Sequence, residues 1–107
     1  MTKVATSPAE ELMIDTKSSR KAALIIRAIN HKLRQQILAL IHEHKLITVT
    51  EIYEKLGLEQ SVASQHLAVL RHAQFVHTKR DGKFIFYSVN YKRIEEAKDC
   101  ANQLTKS

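Results

Sequence analysis

Residues 60–72, QSVASQHLAVLRH, constrain the fold more than any other stretch. Ala63, Leu67 and Leu70 recur at i, i+4 and i+7, so an α-helix gathers them on one face. Ser61, Gln65, Ala68 and His72 then fall on the opposite face, with Ser64 and Arg71 to one side. The outer face is therefore small and mostly uncharged. Two alternating stretches follow directly, Phe75–Lys79 and Phe84–Val89, around Arg80-Asp81-Gly82-Lys83. Asp-Gly between two such stretches is a strong hairpin signal and predicts a turn on Asp81 and Gly82. Ser61 is placed either as a helix cap or as an exposed polar group of the first turn.

Upstream the pattern is helical. Ala22, Ile25, Ile26 and Ile29 predict a helix over 18–29. Asn30 or His31 can cap the next helix, whose stripe is Leu33, Ile37, Leu40 and Ile41 and which ends near His44. Thr48-Val49-Thr50-Glu51 reads as a capping box opening a short helix through Leu56, and Gly57 suits a left-handed stop. A last helix over about 91–104 carries Ile94, Ala97, Ala101 and Leu104, a seam narrow enough for a helix–helix interface. Residues 1–17 read as a polar arm, with Ser7-Pro8-Ala9-Glu10 able to start a short helix, and 18–107 as one domain.

Two short helices joined at Gly57, the second polar outside, make a helix-turn-helix, and the basic hairpin makes it winged. The expected fold is mainly α, with about five helices and a two-stranded wing. The chain has 107 residues and a formal charge of +6, which suits an acidic partner. A helix of this shape fits a major groove, and small outer residues let it approach closely. The expected contacts to double-stranded DNA come from Gln60, Ser61, Val62, Ser64, Gln65, His66 and Arg71 on the helix, and from Lys79, Arg80 and Lys83 on the wing. Gln65 is the candidate for reading adenine, and His66 sits at the edge of the apolar face as a packing residue.

The order Leu58-x-Gln60-Ser61-x-x-Ser64-x-His66-Leu67-x-x-Leu70, then Ala73, Arg80-Asp81-Gly82-Lys83 and Tyr87-Ser88-Val89, resembles the ArsR/SmtB family of bacterial winged-helix repressors. Leu33-Arg34-x-x-Ile37-Leu38 is similar to that family's second helix, and the likeness covers roughly 20–104. The resemblance implies a homodimer that sits on an inverted-repeat operator and leaves it when an inducer binds. Acids where a signal peptide needs an apolar stretch, and a single cysteine, make a cytoplasmic protein the expectation, nucleoid-associated when bound. It places Ala22, Ile25, Ile26 and Ile29 of the first helix and Ile94, Ala97, Ala101 and Leu104 of the last at the dimer interface. The family's sensor positions differ here. Thr48 and Thr50 stand where thiophilic-metal sensors carry Cys-x-Cys, and Asn90-Tyr91-Lys92-Arg93 where zinc sensors carry Asp-x-His. Cys100 has no second cysteine for a redox pair. No cofactor or metal is expected, and the inducer is unassigned.

Competing readings are weaker. His42 and His44 at i, i+2 point to different faces of a helix, which disfavours a shared metal. Cys100 reads as a small apolar filler near the seam, with a disulfide between protomers as the alternative. Tyr53, Tyr87 and Tyr91 read as packing residues. No nucleophile, base and orienter stand in a recognisable pattern and no Gly loop cradles phosphate, so an enzyme is not expected. No run reaches the roughly 18 apolar residues of a membrane span. The principal rival is a winged helix that binds protein, for which large exposed apolar residues on the wing would be the sign.

Overall fold

The computed structural model describes residues 20–106, with side chains through Ala101. The arm over 1–17, its Ser7 start signal and the side chain of Leu104 lie outside these. Helix α1 covers 20–29 and α2 Lys32–His44. Strand β1 (Ile47–Thr48) leads straight into α3 (Val49–Leu56), followed by α4 (Gln60–His72), β2 (Val76–Asp81), β3 (Phe84–Val89) and α5 (Tyr91–Lys106). The sheet is antiparallel in the order β1-β3-β2.

Local chemistry sets most boundaries. His31 is extended, and its Nδ1 accepts from the Leu33 N–H at 3.1 Å, which starts α2. Side chains of α2 also bond the α1 carbonyls at that break. Arg34 donates to the Ala28 and Arg27 oxygens at 2.6 and 3.0 Å, and Gln35 to the Ile29 oxygen at 2.8 Å. The capping box is present, with Thr48 accepting from the Glu51 N–H and Glu51 answering the Thr48 N–H. A cap of this kind contributes about 1 kcal/mol.

Helices α3 and α4 end in the same motif. After α3, Gly57 is left-handed at φ 65°, and the Leu58 N–H reaches back to the Tyr53 oxygen at 2.8 Å. After α4, Gln74 takes φ 66°, and the Phe75 N–H reaches the Leu70 oxygen at 2.8 Å. Both are Schellman endings. The second has its apolar clasp, since Leu70 and Phe75 are both fully buried.

The core runs through every helix. Ile25 and Ala28 of α1, Ile37 and Ile41 of α2, Ile47, Ile52, Leu67, Leu70, Phe75 and Ala97 belong to one buried cluster. The sheet contributes Ile47 of β1 together with Val76, Val89 and the half-buried Tyr87.

Three details depart from expectation. The sheet has a third strand, because Ile47 and Thr48 pair with Tyr87 and Phe86. The hairpin turn sits on Gly82 and Lys83, since Asp81 still pairs with Phe84. Gly82 has φ 63° and Lys83 is not among the positive-φ residues, the pattern of a type II′ turn, which wants Gly first. Strand β2 starts at Val76, because Phe75 is used as the apolar clasp of α4.

Candidate nucleic-acid interface

Helix α4 has two distinct faces. Ala63, Leu67 and Leu70 are buried, at most 1% exposed. Gln60, Ser61, Ser64, Gln65, Ala68 and Arg71 are exposed, and Val62 and His66 are half-buried at the boundary. The helix starts at Gln60 with Glu59 as N-cap, and no side chain caps it. Ser61 is therefore an exposed first-turn residue, not the cap. The first turn carries no acid. No side chain bonds the free N–H groups of this turn, although the Glu59 carboxylate stands beside them at the N-cap.

The wing supplies the cations. Lys79, Arg80 and Lys83 are all exposed. Arg80 Nε donates to the Gly82 oxygen at 3.4 Å, which folds its guanidinium along the turn. The Lys83 ammonium sits 5.6 Å from the centre of the Phe84 ring. Phe84 and Ile85 are 48% and 42% exposed, so the wing also presents apolar surface. The alternation over 84–89 was visible in the sequence, but which members stay uncovered is decided by where the sheet meets the core.

Sequence reasoning gave Arg34 no role of its own, yet it is the joint behind α4. Besides holding the end of α1, its Nη1 lies 3.3 Å from His66 Nδ1. A guanidinium only donates, so this contact needs a lone pair on Nδ1 and hence a neutral His66 ring. Burial, then His31 and Arg34, hold the His66 pKa below its ordinary value of 6.5. The His31 and His66 rings are 4.7 Å apart. His66 is thus a packing residue that ties α4 to α1 and α2. Only residue type hints at this in sequence, because the contact spans 32 positions.

The other candidates fall as follows. Ile25 and Ala97 are 2% and 7% exposed and already spent inside the protomer. Ala22 and Ile26 are half-buried, as are Ile29 and Ile94, which pack against the core, and Ala101 is exposed. A two-fold contact would therefore have to rest on the remainder of the expected seam. Cys100 is half-buried against the core. His42 Nδ1 meets the Tyr91 hydroxyl at 2.7 Å, and His44 Nδ1 lies 3.1 Å from the Leu40 oxygen, so each histidine has its own neighbour. Among the described residues no cluster of three metal-ligating side chains occurs and no helix is long and apolar enough to cross a membrane.

Comparison with known proteins agrees with this geometry. A helix-turn-helix domain family matches residues 29–79. The transcriptional activator HlyU of Vibrio cholerae is 34% identical over 79 residues, which is 74% of this chain and 72% of that protein. The transcriptional repressor PagR of Bacillus anthracis is 33% identical over 82 residues, 77% of this chain and 82% of the relative. The crystal structure of NolR from Sinorhizobium fredii superposes with a TM-score of 0.70 at 27% identity, covering 92% of this chain and 93% of that one. A small polar recognition helix, a basic wing and these relatives lead to one conclusion: the chain belongs to the ArsR/SmtB family of winged-helix, DNA-binding transcriptional regulators.

Proposed function

We propose that the chain represses transcription by binding an inverted-repeat operator as a homodimer. Helix α4 enters the major groove and the wing cations lie on neighbouring phosphates. The observation that carries this reading is the outer face of α4, where Ser61, Ser64, Gln65 and Ala68 are exposed. Gln65 reads a base, because its amide can pair with both adenine N6 and N7, and Arg80 and Lys83 contribute attraction without sequence. The dimer contact uses Ala22 and Ile26 of α1 and Ala101 of α5. It spaces two α4 helices by one DNA turn, about 34 Å. Repression follows when the dimer occludes a promoter. The chain works in the cytoplasm and performs no catalytic step. The releasing signal is not read through the family's metal or dithiol positions, which carry Thr48, Thr50 and a single Cys100 here.

The test selects operator DNA from a random duplex pool with the purified chain and then compares Gln65→Ala with wild type. The variant should lose about 1–3 kcal/mol on the selected site and much less on random duplex. Equal losses on both would remove Gln65 from base reading. The exposed Phe84 and Ile85 favour one second reading, a wing that docks on protein. Under that reading the selection would return no enriched sequence.

A further inference from the structure

A cavity of about 330 Å³ lies where α1, the end of α4 and the start of α5 meet. Its walls carry the cations Arg20, Lys21 and Arg93, the imidazole of His72 and the apolar side chains Leu24 and Ile25, with no acid among the lining residues. On α1 the cavity is bounded by Lys21, Leu24 and Ile25. Ile25 lies about 40° round the helix from Ile29, so the cavity borders the proposed dimer seam.

Arg93 points to a missing partner. The residue is 9% exposed. Its Nη2 donates to Gln74 Oε1 at 2.8 Å. Its Nη1 is 3.3 Å from Glu96 Oε1, close enough for an ion pair but outside hydrogen-bond geometry, and neither Nη1 nor Nε has a hydrogen-bond partner. A buried guanidinium left with unmade bonds is costly, and such a group calls for a ligand, water or ion. Glu96 is 40% exposed, so its hold on the guanidinium is weak and exchangeable. Gln74 adds a second sign of purpose. It also lines the cavity, and it occupies a left-handed position where Gly would be cheaper. Its oxygen accepts from Asn90 Nδ2 at 2.8 Å while its side chain holds Arg93. One residue thus links the end of the recognition helix to the start of α5.

We propose that this cavity is an effector site for a small organic monocarboxylate with an apolar tail. The carboxylate takes the place of Glu96 on the Arg93 guanidinium, whose planar fork matches it, with Arg20 and Lys21 at the rim. The tail lies on Leu24 and Ile25. The volume falls at the small end of ligand pockets. Occupancy changes what Arg93 asks of Gln74 and so biases the end of α4. This effect on DNA rests on the proposed function, whereas binding to the free chain does not.

The experiment is calorimetric titration of the full chain with hexanoate, with hexanol and inorganic phosphate as comparisons. Hexanoate should bind saturably, one per chain, and the other two at least about tenfold more weakly. The double variant Arg20→Gln/Lys21→Gln, on the exposed rim, should keep its melting temperature and lose affinity severalfold. Arg93→Lys should lose binding, and Glu96→Gln should tighten it by freeing the guanidinium. Hexanoate that fails to saturate, phosphate that binds as well, or a rim variant with unchanged affinity would each overturn the site. Because calorimetry needs no DNA, a chain that ignored DNA would leave this result standing. Hexanoate that binds but leaves operator affinity unchanged would overturn the effector role.

Discussion

The two ends that flank the turn and the recognition helix make the same backbone bonds with different residues. At the end of α3, Gly57 takes φ 65° and nothing lies within 4 Å of where its side chain would begin. At the end of α4, Gln74 takes φ 66° and its side chain grips Arg93. The first end needs only a change of direction, so the residue with no side chain serves. The second accepts left-handed strain, about 1–2 kcal/mol for a side-chain-bearing residue, and uses the side chain. The difference teaches that α4 is tied at its far end to α5, and at its boundary residue His66 to α1 and α2 through Arg34. Its near end is left free of side-chain caps.

Removing the clasp that the Gln74 turn depends on should have the largest effect. Phe75→Ala takes out a fully buried ring and should cost about 3–5 kcal/mol in urea unfolding. A cost under about 1 kcal/mol would mean that the turn does not depend on its clasp.

Gln74 itself comes next. Gln74→Ala keeps the left-handed strain and loses a bond to a charged group, so it should cost about 1.5–3 kcal/mol. Gln74→Gly loses the same bond but relieves the strain, and should cost about 1 kcal/mol less than the alanine variant. Gly57→Ala adds strain and removes no bond, so about 1 kcal/mol is expected. If Gln74→Gly proved more stable than wild type, the Arg93 contact would be worth less than the strain it is set against, and the contrast between the two ends would vanish.

The contrast was only partly legible in sequence. Gly57, the Thr48–Glu51 box and the buried side of α4 follow from signals within a few residues, and the structure has all three. Gln74 carries no such signal, because its reason lies at Arg93, 19 positions away. Strand β1 is equally silent. Two residues show no alternation, and the partner of Ile47 is Tyr87. The hairpin is readable, but the Asp-Gly signal points one residue ahead of the observed turn, since Gly82 satisfies either an Asp-Gly turn or a II′ turn with Gly first. In the interface, exposure on α4 followed from helical period alone, whereas the Arg34 joint needed the third dimension.

Smaller effects probe the other tie. The His66 pKa is lowered in the folded chain, so the unfolded chain takes up the proton first as pH falls. Stability should therefore be level above pH 6.5 and decline below it, down to the folded value. His66→Gln should flatten this part of the pH profile. A profile unchanged by the substitution would show that burial, with His31 and Arg34, does not hold the ring neutral. On the wing, Arg80→Ala and Lys83→Ala should each lower the slope of log affinity against log salt by about 1 and weaken all DNA sequences alike.

The proposed function depends on α4 and the wing binding duplex DNA as a two-fold pair. Its most direct test is titration of the selected operator duplex across a range of salt concentrations, with the mass of the complex read by light scattering. The account predicts two chains per duplex and a log–log slope of roughly −5 or steeper, as expected when about six phosphates are neutralised. A slope near zero, or a single chain holding the operator as tightly as a pair would, contradicts it.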